Sequence, residues 1–246
     1  MMKCGVKSKS DIFENKKYQD LSGWNGVSLE ELKIRLQGHY YDEVYVYTLA
    51  TTRMDKKTHT VRHMGSGPNL EGSLTTLCTC KHKMRQDQKG DWQGKWILGL
   101  TSRDRSKGFD GKHYPFYLMK VERSFDSQKE IFGYLEQNNP CALRSKNAVK
   151  NRLGDIFEPI SKCSDPLDPK MYKTLHKNHS HGENDSIGWH SDIVYHGRSV
   201  PLLVGEKNNT FVWPQPMIRF IKDRGIGYLK LRLGDLLEKL LEDNKI

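Results

Sequence analysis

The sequence predicts an α+β protein, built as a curved mixed sheet or partly open β-barrel flanked by helices. Three observations predict it. Short β-like apolar segments recur between polar loops, two capping-box signatures open helices, and a leucine-rich amphipathic stretch comes near the last residues. No internal repeat and no clear linker divides the 246 residues. They are therefore expected to form a single domain over 1–246, with an N-terminal helical extension over 1–40 and a C-terminal helix over 233–243.

The elements follow in order. Ser28 with Glu31 three residues later matches a capping box, Leu29, Leu32 and Leu36 recur at helical spacing, and Gly38 stands where a C-cap belongs. A strand is predicted over 44–50, where Val44, Val46 and Thr48 alternate with Tyr45, Tyr47 and Leu49. Residues 53–73 are polar and punctuated by Gly65, Gly67, Pro68 and Gly72, which reads as a long loop. Three short β-like segments then follow at 74–80, 96–100 and 116–121, with a basic loop over 101–113 between the last two. Ser127 and Glu130 form a second capping box, and Ile131, Phe132 and Leu135 give its helix an apolar face. Residues 138–190 carry little periodicity and are expected to be irregular with one short helix. Strand-like runs return at 193–195, 211–213 and 226–231. Leu233, Leu236, Leu237, Leu240 and Leu241 line one face of the last helix.

Composition narrows the function classes. Forty Lys and Arg against thirty Asp and Glu give a net charge of +10, a sign that favours polyanionic partners. The basic residues clump at 81–85, 103–107 and 144–152, the footprint expected of a protein that contacts nucleic acid or nucleotide. No apolar run approaches the ~18–20 residues that a membrane helix needs, and the first ten residues are not followed by a signal-peptide apolar stretch. Five cysteines are an odd number, which fits a reducing cytoplasm better than a disulfide framework.

Two groups of residues are candidates for chemistry. The first is Lys81, Lys83 and Arg85, which alternate and would project from one side of an extended segment toward phosphates. Arg103 and Arg105 add to that grip, the Gly90–Asp91 turn lets a backbone pass close to a ligand, and Trp92 and Trp96 either stack an unstacked base or fill the core. The second is the histidine-rich stretch, from which His179, His181, Glu183 and His190 are the candidate catalytic set. Such residues shuttle protons near neutral pH or hold a divalent metal; their spacing matches no zinc motif, and a polar surface loop is the plainer alternative. Cys78 and Cys80 lack the second pair that a structural zinc site requires, and a nucleophilic Cys80 would need a base. P-loop, dinucleotide-binding and deaminase signatures are absent.

The stretch from Leu74 to Arg123 resembles the nucleotide-modification-associated domain families of bacterial and phage genomes. Leu77, Cys80, Lys81, Lys83 and Arg85 match the family's Thr-Leu-Ala-x-Cys-Lys-Pro-x-Ile-Arg element, and Gly90, Asp91, Trp92 and Gly99 match its Gly-Asp-Trp element. Val121, the helix capped by Ser127 and the segment from Ser191 to Gly197 match its later parts. His82 in place of Pro, Met84 in place of Ile, the inserted 93–96 and His196 depart from the pattern. The resemblance implies a PUA-like fold and recognition of a modified nucleobase in a DNA-modification or defence setting. Two alternatives stand beside it: an enzyme of base modification using the 176–196 histidines, and a non-catalytic interaction subunit using the last helix.

Overall fold

The computed structural model describes residues 18–19, 21, 23–24, 26–63, 65, 67–87, 91–148, 155–173, 188–221 and 227–244. In chain order these form α1 (Leu29–Arg35), β1 (Glu43–Thr48), β2 (Thr52–Asp55), β3 (Thr60–His63), β4 (Thr76–Leu77), α2 (His82–Gln86), β5 (Trp96–Leu100) and β6 (Pro115–Phe125). There follow α3 (Gln128–Asn138), α4 (Pro140–Asn147), β7 (Val194–Tyr195), β8 (Arg198–Ser199), β9 (Leu202–Val212), β10 (Tyr228–Arg232) and α5 (Leu233–Asp243). The fold is α+β with a curved mixed sheet flanked by helices. Its contacts gather into two compact units, each assembled from three separate chain segments. A first unit comprises residues 1–19, 66–90 and 125–202, and a second comprises 20–65, 91–124 and 203–246.

The second unit carries the sheet order β10–β1–β5–β6–β9. β1 runs antiparallel to β10 and parallel to β5, and β5 runs antiparallel to β6. Val44, Val46, Trp96, Leu98 and Leu118 face a core shared with α1 and α5. Burial on both faces explains why β1 reads as a near-continuous apolar run: Tyr45 and Tyr47 on its other face are buried too. Tyr47 and Tyr117 share a hydrogen bond between hydroxyls of 2.9 Å. The ring of Tyr117 lies over Gly99, where a Cβ would come within 2.2 Å of it. Only glycine fits there.

Ser28 caps α1 by accepting from the Glu31 amide at 3.1 Å, as the capping box predicts. The Glu31 carboxylate does not reach back, because it pairs with Arg35 one turn on. α5 has no side-chain cap. Its first amides donate instead to the Asp42 and Tyr40 carbonyls at 2.9 Å each, and Gly234 permits that approach, since a Cβ would stand 3.2 Å from the Tyr40 oxygen. Leu233, Leu236, Leu237 and Leu240 are buried in the unit's own core, and Leu241 packs against it. The leucine face that motivated an interaction subunit is thus already occupied.

In the first unit Ser127 caps α3, accepting from the Glu130 amide at 3.2 Å, while Glu130 accepts from the Asp126 amide at 3.0 Å. α4 is the short helix expected in the irregular region. Gly72 lies close against it, where a Cβ would stand 2.7 Å from the Ala142 Cα. From α4 the buried Lys146 ammonium donates to the Asn69 and Leu74 carbonyls at 2.8 and 2.7 Å. Burial draws its pKa down to about 8 against the pull of Asp155. A small cluster of Phe157, Cys163, Tyr172 and Ile193 forms a separate core. Among the described residues Cys78, Cys80 and Cys163 are free thiols.

Candidate nucleic-acid interface

The parallel neighbours β1 and β5 end side by side, and the segments leaving their carboxyl ends build one face of the second unit. After β1 the chain turns through Ala50 and Thr51 into the β2–β3 hairpin, which lies within the segment expected to be a long loop. Thr52 anchors the turn: its hydroxyl donates to the Leu49 carbonyl at 2.9 Å and accepts from the Ser102 amide at 2.8 Å. After β5, residues Arg105–Lys107 form a 3-10 turn capped by Asp104, whose carboxylate accepts from the Ser106 amide at 2.8 Å. Gly108 seats that turn against β2, where a Cβ would come within 2.9 Å of Met54. The Lys107 ammonium donates to the Ala50 carbonyl at 2.5 Å.

The hairpin register places Arg53 directly opposite Arg62, both exposed. Like charges facing each other across an antiparallel pair destabilise it. Arg62 is balanced by an ion pair with Asp55. Arg53, Arg103 and Arg105 have no hydrogen bond or ion pair to their guanidinium groups among the described residues. Lys56 and Lys57 are exposed at the hairpin tip. On this face Asp110 pairs with Lys112, and the acids of the hairpin and the 3-10 turn, Asp55 and Asp104, stay ionised. The Lys57 amide holds the Asp55 carboxyl below its ordinary value, and the Ser106 hydroxyl and amide do the same for Asp104. What remains is an excess of cations over acids on the hairpin and the capped turn.

Beneath this face lie buried polar groups. His63 is fully buried, shares a 2.9 Å hydrogen bond with the Thr51 hydroxyl and packs on Phe116 at 5.7 Å. Burial pushes its pKa down to about 3, so it is neutral. His113 donates from Nδ1 to the Thr101 carbonyl at 2.7 Å.

The residues expected to bind nucleic acid divide between the units. Asp91, Arg103 and Arg105 are exposed on the second unit. Trp92 and Trp96 also belong there, but both are fully buried. Trp92 packs on Tyr45 at 4.6 Å, and Trp96 donates to the Asp42 carboxylate at 3.1 Å. Neither presents a ring face to a base; of the two expected roles, they fill the core.

Lys81, Lys83 and Arg85 belong to the first unit, and their segment is a helix rather than an extended run. Cys80 and Lys81 take left-handed backbone conformations, with φ of 58° and 53°, which turn the chain sharply from β4 into α2. On a helix, i and i+4 share a face while i+2 points away. Lys83 is accordingly exposed, and Arg85 is buried, donating to the Cys80 carbonyl at 3.0 Å and the Pro201 carbonyl at 2.5 Å. Arg85 is a structural tie, not a phosphate clamp. The Cys80 thiol is pushed up to about 12 by burial, which leaves it protonated and unreactive.

His179, His181 and Glu183 lie outside the described residues. His190 is half-buried in the 3-10 turn Gly188–Asp192. No group of three metal-ligating side chains occurs among the described residues. The structure does reveal a histidine–carboxylate pair that the sequence reading passed over. His82 Nε2 stands 2.6 Å from the fully buried Asp192 carboxylate, with its ring against Tyr195 at 5.1 Å. These two residues lie 110 positions apart, so no local spacing announced them.

Comparison with family models, with curated proteins and with solved structures returns no match to this chain.

Proposed function

We propose that this protein binds nucleic acid, gripping the phosphate backbone with the cationic face of the second unit. Arg53, Arg62, Arg103 and Arg105 are the principal contacts, and Lys56, Lys57 and Lys107 lie alongside them. The observation that carries this reading is the register of Arg53 against Arg62. A hairpin that tolerates opposed arginines, one of them balanced by Asp55, with the unpaired guanidiniums of Arg103 and Arg105 on the adjoining turn, gains stability when a polyanion neutralises the excess charge. Arginine suits the role because its planar fork meets phosphate oxygens two at a time. Phosphate contacts fix position without reading sequence. Base recognition therefore needs a second feature, and the likeness of 74–123 and 191–197 to nucleotide-modification-associated domains supports a modified base in a bacterial or phage DNA-modification or defence setting.

Fluorescence anisotropy with single- and double-stranded oligonucleotides, repeated over a range of salt, tests the proposal. The wild-type protein should bind both in a salt-dependent way, and the Arg53→Thr/Arg105→Gln variant should lose roughly tenfold or more in affinity while reducing the salt slope by about two phosphate contacts. Equal affinity and equal slope in the two proteins would overturn it. A stronger signal for oligonucleotides carrying a modified base would support the recognition part, and indifference to modification would remove it.

A further inference from the structure

The first unit contains an open cleft of about 470 Å³, whose lining includes Asp126, Glu130, Pro166, Leu167, Arg198 and Pro201. Its volume falls within the range of small-molecule sites, about 300–1,000 Å³. The lining is mixed in chemistry. Asp126 and Glu130 come from the capped start of α3. Arg198 comes from the β7–β8 hairpin, whose two-residue turn has His196 and Gly197 at φ of 51° and 70°. Two consecutive left-handed residues are what a tight primed turn demands, and Gly197 meets it without strain. Gln86 fixes that hairpin from α2, its amide donating to the Tyr195 and Ser199 carbonyls at 2.9 and 3.0 Å. Pro166, Leu167 and Pro201 supply apolar surface. The 165–168 turn is itself tied down, since Tyr172 donates to the Pro166 carbonyl at 2.6 Å and the Leu167 amide to Asp165 at 2.9 Å.

Neither the Arg198 guanidinium nor the Asp126 carboxylate has a hydrogen bond or ion pair among the described residues, although both line the same cleft. A ligand that pairs with this lining offers donors to the carboxylates, acceptors to the guanidinium and a flat face to Pro166, Leu167 and Pro201. Guanine has that layout. Its N1–H and N2–H2 donors suit two carboxylates, and its O6 and N7 accept a bidentate guanidinium. Adenine offers one donor group at its equivalent edge, and uracil and thymine one N–H. Two carboxylates against one arginine leave the cleft with net negative charge, which disfavours phosphate and favours the neutral base.

We propose that this cleft is a binding site for an unpaired guanine ring, presented either by a free nucleoside or by a base turned out of a strand. The site goes beyond the phosphate grip proposed for the second unit and uses none of its residues. The test titrates the full-length protein with deoxyguanosine, deoxyadenosine, deoxycytidine and thymidine, followed by NMR, and with a thymine oligonucleotide carrying one central guanine. Deoxyguanosine should bind saturably and more tightly than the other nucleosides and than its 5′-monophosphate. Arg198→Ala should weaken it at least about tenfold, the loss expected for one bidentate base contact. Glu130→Gln should weaken it as well with the fold intact, because glutamine serves equally at the third position of a capping box. A response confined to free deoxyguanosine identifies a nucleoside site, and one that extends to the oligonucleotide identifies a strand-borne base. Four nucleosides binding alike, none binding, or variants that bind as the wild type does would each overturn the proposal. Loss of oligonucleotide affinity in Arg105→Gln with unchanged deoxyguanosine binding would show that the two sites fail or stand separately.

Discussion

His63 and Arg85 show how a polar side chain in the interior leaves a measurable trace. His63 is buried with a pKa near 3, against 6.5 for the free side chain. The unfolded chain therefore binds a proton between pH 6.5 and about 3 that the folded chain refuses. Stability is complete above 6.5 and is lost as pH falls through that window, by about 1.4 kcal/mol for each pH unit. Urea unfolding at pH 7, 5 and 4 should show this loss, and His63→Gln should remove that component; parallel curves for the two proteins would refute the assignment. Arg85 is the complementary case, a charge whose hydrogen bonds to the Cys80 and Pro201 carbonyls tie α2 to a distant segment of the same unit. Arg85→Leu strands those acceptors and should destabilise by roughly 3 kcal/mol. Its effect on oligonucleotide affinity, measured well below the new unfolding midpoint, should be small; a large loss would return Arg85 to the phosphate-binding set.

Among the elements, those set by local patterns were legible and those set by distant contacts were not. The C-terminal helix over 233–243 and the strand over 96–100 coincide with the elements observed, because a leucine stripe and a compact apolar run are local signals. Ser28 and Ser127 announced their helices in the same way. The β2–β3 hairpin was hidden because its strands are four residues each and carry charge on the outward face. α2 was misread because its five residues show no period and its start depends on two left-handed residues that carry no sequence mark. β9 showed only its last residues, since Asn208 and Asn209 interrupt the apolar pattern. Arg103 and Arg105 were legible as candidates for the proposed interface, while Arg53 and Arg62 were not, because a cross-strand pair exists only once the register is fixed. That register supplies a prediction of its own. Arg53→Thr relieves the opposed charge and adds a good strand former, so the protein should gain a few tenths of a kcal/mol. The same change should weaken oligonucleotide binding. Stability and affinity moving in the same direction would contradict a hairpin shaped by its ligand.

At the scale of the whole chain, a net charge of +10 is a permissive fact. Charge acquires meaning from its placement: Arg85 and Lys146 are buried and hydrogen-bonded to carbonyls, so they cannot release counterions. The cations able to do so on the second unit's face are Arg53, Lys56, Lys57, Arg62, Arg103, Arg105 and Lys107, from which the partners Asp55 and Asp104 subtract. Five effective phosphate contacts would give a slope of log affinity against log salt of roughly −4.5 for duplex and −3.5 for a single strand. A protein using its entire formal excess would approach roughly −9 on duplex by the same relation. The guanine cleft on the first unit should behave differently, because a neutral ring displaces no counterions. Deoxyguanosine affinity should stay level across the salt range that weakens oligonucleotide binding, and should respond to Arg198→Ala but not to salt. Titrations of both ligands on one preparation decide the matter: parallel salt dependence for nucleoside and oligonucleotide would mean that both report the same diffuse cationic surface.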